Sequence, residues 1–172
     1  MKSKIIIVDN DLIFRQSLIF LISIQDNAEV IGKASNGDEL MELLTNLRPD
    51  LILIDIDIPQ MNACEVIQRV LKTNPGINII ALSMYQNEDH INNMIKMGVK
   101  GFYLKSKAIL DLKNEIHSLL RSEKFYISIP LVDSIKKLIP QIPQFSVENG
   151  WIKNGINNQT SPKKWSYSEQ HN

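Results

Sequence analysis

The 172-residue chain has no excess of either charge: Lys plus Arg and Asp plus Glu number 19 each. Without a net positive field, neither nucleic acid nor an anionic membrane is favoured as a long-range partner. It has a single cysteine, Cys64, so no intrachain disulfide can form, which fits a reducing compartment. It has no apolar run approaching the ~20 residues that span a bilayer. The opening MKSKIIIVDND reaches Asp9 after Ile5, Ile6, Ile7 and Val8, too short a stretch for a secretory signal. Asn158-Gln159-Thr160 matches a glycosylation acceptor, but without secretion the match is read as chance. A soluble, cytoplasmic protein is expected.

What the sequence does have is alternation. Short apolar runs at 4–9, 28–34, 51–55, 78–83 and 101–105 read as strands. Between them lie amphipathic stretches. Helices are expected over 11–23 (inward Leu18, Leu21, Ile22), from Asp38 through Leu44, over 63–73 (Val66, Ile67, Val70) and over 88–97. The series closes with 108–122, carrying Leu110, Leu112, Ile116, Leu119 and Leu120 at helical spacing. Asn36-Gly37 marks a turn, and Asp38 and Glu39 suit the positive end of the helix that follows. Strands alternating with helices predict an α/β domain over 1–125, with a doubly wound, five-stranded parallel sheet. Ligands of such sheets bind beyond the carboxyl ends of the strands.

The strand ends therefore carry the chemistry. LILIDIDIPQM (51–61) runs an apolar strand straight into Asp55. A buried strand does not hold an unpaired charge in its middle, so Asp55 belongs at its exit. The first strand ends at Asp9-Asn10-Asp11, the fourth at Ser83 and the fifth at Lys105. Singly, each has a bland reading: Asp55 a turn residue, Asp11 a helix N-cap, Ser83 a turn hydroxyl, Lys105 a solvated charge. Together they suit phosphoryl transfer with a divalent cation. Carboxylates hold Mg²⁺, an aspartate can become an acyl phosphate, and a hydroxyl and an ammonium neutralise phosphoryl oxygens.

Two families use an aspartyl nucleophile. Asp55-Ile56-Asp57 matches the Asp-x-Asp of haloacid-dehalogenase-like phosphatases, but the order of the remaining acids does not, since 9–11 precede it. VDND (8–11), LILIDIDIPQMNA (51–63), ALS (81–83) and GFYLKS (101–106) together resemble the receiver domain of bacterial two-component response regulators. Ser106 in place of proline, with FYISIPLVDSIKKLI (125–139), looks like the NarL/LuxR subgroup. The resemblance implies a flavodoxin-like strand order 2-1-3-4-5 and Asp55 as phosphoacceptor. It implies an Mg²⁺ site formed by Asp9, Asn10, Asp55 and the backbone carbonyl of Asp57. It further implies that Ser83 moves toward the phosphoryl group, that Lys105 pairs with it, and that Tyr103 is the aromatic that changes rotamer. The implied partner is a sensor histidine kinase, and the protein is a switch rather than a turnover enzyme.

Several positions depart from the family pattern. Asn10 replaces a second acid, which lowers the charge of the metal site. Ala63 stands where glycine is common, with Asn62 expected to take the left-handed conformation beside it. Cys64 is read as a small buried residue without a redox role. Residues 126–139 are expected to form a short helical extension. Residues 140–172, rich in Asn, Gln, Ser and Pro, read as a linker-like or irregular tail with scattered aromatics Trp151, Trp165 and Tyr167. No basic recognition helix is found there, so direct DNA binding is not expected and output through a downstream protein target is. The alternative is a transcription-regulator remnant, weakly phosphorylated and acting as a homodimer.

Overall fold

The computed structural model describes residues 2–59, 62–85 and 87–106, the helical residues Ile109, Leu112 and Ile116, and the backbone of 126–127, 145–148 and 151–154. The elements follow in the order β1 (Ser3–Val8), α1 (Leu12–Ser23), β2 (Ala28–Ala34), α2 (Gly37–Asn46), β3 (Leu51–Asp55), α3 (Ala63–Thr73), β4 (Asn78–Ser83), α4 (Glu88–Met97) and β5 (Gly101–Leu104). β6 (Tyr126–Ile127), β7 (Phe145–Glu148) and β8 (Trp151–Asn154) complete them.

The first five strands pair in parallel in the order β2-β1-β3-β4-β5, as the alternation of elements requires. β6 adds a sixth parallel strand beside β5, with Gly101 opposite Tyr126 and Phe102 opposite Ile127. Here the structure departs from the expected helical extension. Tyr126-Ile127 lies in a run of aromatic and β-branched residues that Pro130 closes, a composition that favours a strand. Most of 108–122 and all of 128–139 lie outside the described residues, but Ile109, Leu112 and Ile116 are helical as expected.

The tail also contains order that its composition hid. β7 and β8 form an antiparallel pair, with Phe145 opposite Asn154 and Glu148 opposite Trp151. In sequence they are joined by Asn149-Gly150, the dipeptide most favoured in two-residue hairpin loops.

Period-two alternation along the buried strands divides the core into two layers. Ile6, Val8, Ile52, Ile54, Ala81, Phe102 and Leu104 face Leu40 of α2, Val66, Ile67 and Val70 of α3, and Ile91 and Met94 of α4. Ile5, Ile7, Leu51, Leu53, Ile80, Leu82 and Tyr103 face Leu18 and Ile22 of α1, and Leu112 and Ile116.

Helix starts are set by side-chain caps. Asp11 accepts from the Ile13 and Phe14 amides at 2.9 and 3.1 Å, the role expected of it. Asn36 caps α2 through Glu39 N, and Glu39 reaches back to Ser35. Asn62 caps α3 with extended backbone (φ −63°), accepting from Cys64 N at 2.9 Å. The left-handed turn expected at Asn62 is therefore absent. Ala63 is already helical, so nothing at this point demands glycine. Gly98, at φ +97°, ends α4 in the left-handed conformation and lets Val99 N reach Met94 O at 3.1 Å.

Candidate functional site

Strand register places the charged ends side by side. Val8 pairs with Ile54 across β1 and β3, so Asp9 and Asp55 follow on adjacent strands. Lys105 follows Leu104, which pairs with Ser83, and Lys105 N donates to Ser83 O at 2.8 Å. By alternation Asp9 continues the face of Ile5 and Ile7, Asp55 that of Leu51 and Leu53, and Lys105 that of Tyr103. All three side chains thus stand on the α1 side of the sheet, where α1 begins.

There they meet. Lys105 Nζ lies 2.6 Å from Asp55 Oδ2 and 2.8 Å from Asp9 Oδ2, with the three side chains 4%, 3% and 0% exposed. Each carboxylate uses its other oxygen to hold its own turn: Asp11 N donates to Asp9 Oδ1 at 2.9 Å, and Asp57 N to Asp55 Oδ1 at 3.0 Å. The second oxygens are thereby aimed at a common point. Asp9 Oδ2 is buried, and the Lys105 ammonium is the charge that faces it.

The electrostatics follow from two acids sharing one base. Burial pushes the Asp9 carboxyl above its usual 3.8, against the opposing pull of Lys105 and the Asp11 amide. Burial presses Lys105 down, but its bonds to Asp55 and Asp9 outweigh that and leave it above 10.5. The site is thus a charged triad carrying one net negative charge when both acids are ionised.

α1 supplies two further residues that the sequence reading did not single out. The Phe14 ring lies 4.6 Å from Lys105 Nζ, a cation–π contact that closes the ammonium's third side. Arg15 Nη1 donates to the Asp9 carbonyl, tying the turn to the helix. Their only sequence signal was position, just inside a helix that starts at a cluster of acids.

Ser83 is buried but turned away from the triad. Its Oγ donates to Tyr85 O at 2.7 Å and accepts from Tyr85 N at 3.1 Å. Ser83 shares the face of Ala81, and so does Phe102, whereas Tyr103 lies in the opposite layer with no exposed surface. The structure therefore does not bring Tyr103 alongside Ser83; the β5 aromatic on that face is Phe102. Asn10 and Asp57 are exposed at the rim. Burial raises the Cys64 thiol above 9.0, so little thiolate exists at neutral pH.

The oxygen-rich cluster suits a hard cation, and the buried Asp9 Oδ2 and Asp55 Oδ2, both turned to Lys105, are the carboxylate oxygens at its centre. Among the described residues no three His, Cys, Asp or Glu side chains gather as a metal group. Among the described residues no helix is long and apolar enough to cross a membrane.

A five-stranded parallel sheet of order 2-1-3-4-5 with two acids, a hydroxyl and a lysine at its carboxyl edge defines a doubly wound α/β domain of the receiver type. The chain belongs to the response regulator receiver domain family, whose model matches residues 5–143. It is 36% identical over 120 residues to the transcriptional regulatory protein YdfI of Bacillus subtilis, covering 69% of this chain and 55% of that one. It is 31% identical over 121 residues to the nitrate/nitrite response regulator protein NarL of Escherichia coli, covering 70% and 56%. The chain spans about half the length of these relatives. Among solved structures it resembles a LuxR-family two-component response regulator from Aurantimonas (TM-score 0.74, 20% identity, 80% of this chain, 97% of that one). It also resembles the isolated REC domain of RcsB from Salmonella enterica in the presence of phosphomimetic BeF3− (TM-score 0.70, 20% identity, 80% and 99%). Those two likenesses speak to the fold.

Proposed function

We propose that this receiver domain is a phosphorylation switch that takes a phosphoryl group onto Asp55 from a histidine kinase. The observation that carries the reading is the Lys105 bridge between Asp55 and Asp9 at 2.6 and 2.8 Å. Asp55 is the carboxylate at the centre of the sheet's carboxyl edge. Its attack on phosphorus forms an acyl phosphate, breaks the P–N bond of the donor and returns the pair of electrons to the imidazole nitrogen. Lys105, already on Asp55, then binds a phosphoryl oxygen. Ser83 exchanges the Tyr85 carbonyl for another phosphoryl oxygen, and that exchange alters the β4–α4 turn. We place Phe102, on Ser83's face, rather than Tyr103 as the aromatic that follows this movement.

Asp9, Asn10, Asp55 and the Asp57 carbonyl are the groups that would hold Mg²⁺. Bound there, the ion neutralises charge shared by the carboxylates and the incoming phosphoryl group. Asp9 is held for this by the Asp11 amide and, through its own carbonyl, by Arg15.

One relative, YdfI, is named as a transcriptional regulatory protein, and this chain matches 55% of its length. Output from this domain is assigned to protein–protein contacts. The charge balance of 19 against 19 gives it no field for DNA. The test is transfer from a radiolabelled, autophosphorylated histidine kinase in the presence of Mg²⁺. Label on the chain that hydroxylamine removes supports the acyl phosphate, and label that resists it contradicts the reading.

A further inference from the structure

Among the described residues, Asp55, Asp9 and Phe14 close in on the Lys105 ammonium. Two of these neighbours change in the chemistry proposed above. Asp55, at 2.6 Å, exchanges its carboxylate for an acyl phosphate, and Asp9, at 2.8 Å, is one of the groups assigned to Mg²⁺. The third is the Phe14 ring, whose centroid lies 4.6 Å from Nζ and which takes part in no bond made or broken. Of the three, the ring is the neighbour that is the same before and after transfer.

The local sequence puts the ring there. Phe14 stands in the first turn of α1, where the Asp11 cap accepts from its amide at 3.1 Å. Leu18 and Ile22, one and two turns further along, are buried in the layer that includes Tyr103, and Phe14 packs against that layer. Helical side chains lean toward the start of their helix. α1 starts beside Asp9 at the carboxyl edge of the sheet, so the ring leans past the end of the apolar layer onto Lys105.

We propose that Phe14 is a positioning residue of the phosphorylation site: its ring face holds the Lys105 ammonium beside Asp55 while the carboxylates around it change partners. The assignment rests on Asp55 as the phosphoacceptor. A lysine head is a point charge on a flexible four-carbon stem, so its direction is set by what surrounds it. With the Lys105 side chain 4% exposed, water is poorly placed to replace a carboxylate that lets go. An aliphatic wall would offer the ammonium nothing on that side. The electron-rich face of an aromatic ring attracts it, and most strongly where water is excluded. Packing against the layer would be served as well by leucine, the residue that follows on this face at Leu18; attraction to a cation would not.

The test compares Phe14→Leu and Phe14→Tyr in the full chain, with and without Lys105→Ala. The rate is read by intact mass, as the protein gains a phosphoryl group from a small-molecule acyl phosphate with Mg²⁺. Phe14→Leu is expected to slow the gain about tenfold, the scale of a cation–π contact, and Phe14→Tyr to stay within about twofold of the wild type. In the Lys105→Ala background Phe14→Leu should slow it no further, because the ring acts through the lysine. Proton NMR without donor or metal gives a second readout. Ring currents should shift the Lys105 ε-methylene protons upfield in the wild type and in Phe14→Tyr, and not in Phe14→Leu. Should Phe14→Leu not fold, Phe14→Met takes its place. Phe14→Leu as fast as the wild type, Phe14→Tyr as slow as Phe14→Leu, a further loss in Lys105→Ala, or an unshifted Lys105 methylene in the wild type each overturns the assignment and leaves the phosphoacceptor reading standing. A wild type that gains no phosphoryl group overturns both.

Discussion

Lys105 and Asp55 stand 50 residues apart in sequence and 2.6 Å apart in space. That contact, shared with Asp9, makes the carboxyl edge of the sheet a place where one base compensates two buried acids. Removing the base leaves them uncompensated, and breaking a buried pair in this way costs about 3–5 kcal/mol. Lys105→Ala is therefore expected to lower stability by that order in urea titrations at neutral pH. Acyl-phosphate formation on Asp55 should persist, while the phosphorylation-dependent change at Ser83 should be lost.

The pH dependence of the same site has a definite sign. Lys105 titrates above 10.5 in the fold, so its contribution is fully present below that value and lost as pH rises through the folded pKa. Lys105→Ala should remove this alkaline loss. Asp9 titrates above 3.8 in the fold, so the native state holds a proton there more tightly than the unfolded chain. Ionising Asp9 thus weakens the fold, and acid relieves that penalty. Without Lys105 the relief should begin at higher pH than in the wild type. Urea midpoints across the acid and alkaline ranges measure both effects.

Asn10 leaves the site with two carboxylates where the family pattern has three. Asn10→Asp is expected to tighten Mg²⁺ binding about tenfold, which is ~1.4 kcal/mol, because hard cations respond to ligand charge. The same change adds repulsion to Asp9 and Asp55, so the metal-free variant should be less stable. Calorimetric titration of both forms decides the first point and melting without metal the second. Equal affinities would mean that another oxygen already supplies what Asn10 lacks.

Asp11 holds the first turn of α1, from which Phe14 reaches Lys105. Asp11→Ala should cost about 1 kcal/mol by loss of the cap. Asp11→Asn, which keeps an acceptor oxygen, should recover most of it. Equilibrium denaturation of the two variants provides the comparison.

The sheet was legible because IIIV, LILI and NIIAL are runs that only a strand buried on both faces accommodates. The polar residue at each strand end then named Asp9, Asp55, Ser83 and Lys105. What the sequence concealed was orientation. Phe102 and Tyr103 are adjacent aromatics, and composition cannot tell which of them faces Ser83; strand register does. Phe14 and Arg15 were hidden because a helix can carry them on any side until it packs. β6 and the β7–β8 pair were overlooked where polar neighbours outweighed short strand signals, Tyr126-Ile127 in one case and Asn149-Gly150 in the other.

The account rests on Asp55 as the acceptor, and intact-protein mass spectrometry tests it most directly. Wild type and Asp55→Asn are incubated with Mg²⁺ and a small-molecule acyl phosphate donor. The wild type should gain the mass of one phosphoryl group, mapped to Asp55 after borohydride reduction, and Asp55→Asn should gain none. A phosphoryl group retained by Asp55→Asn, or mapped to any other residue of the wild type, would contradict it.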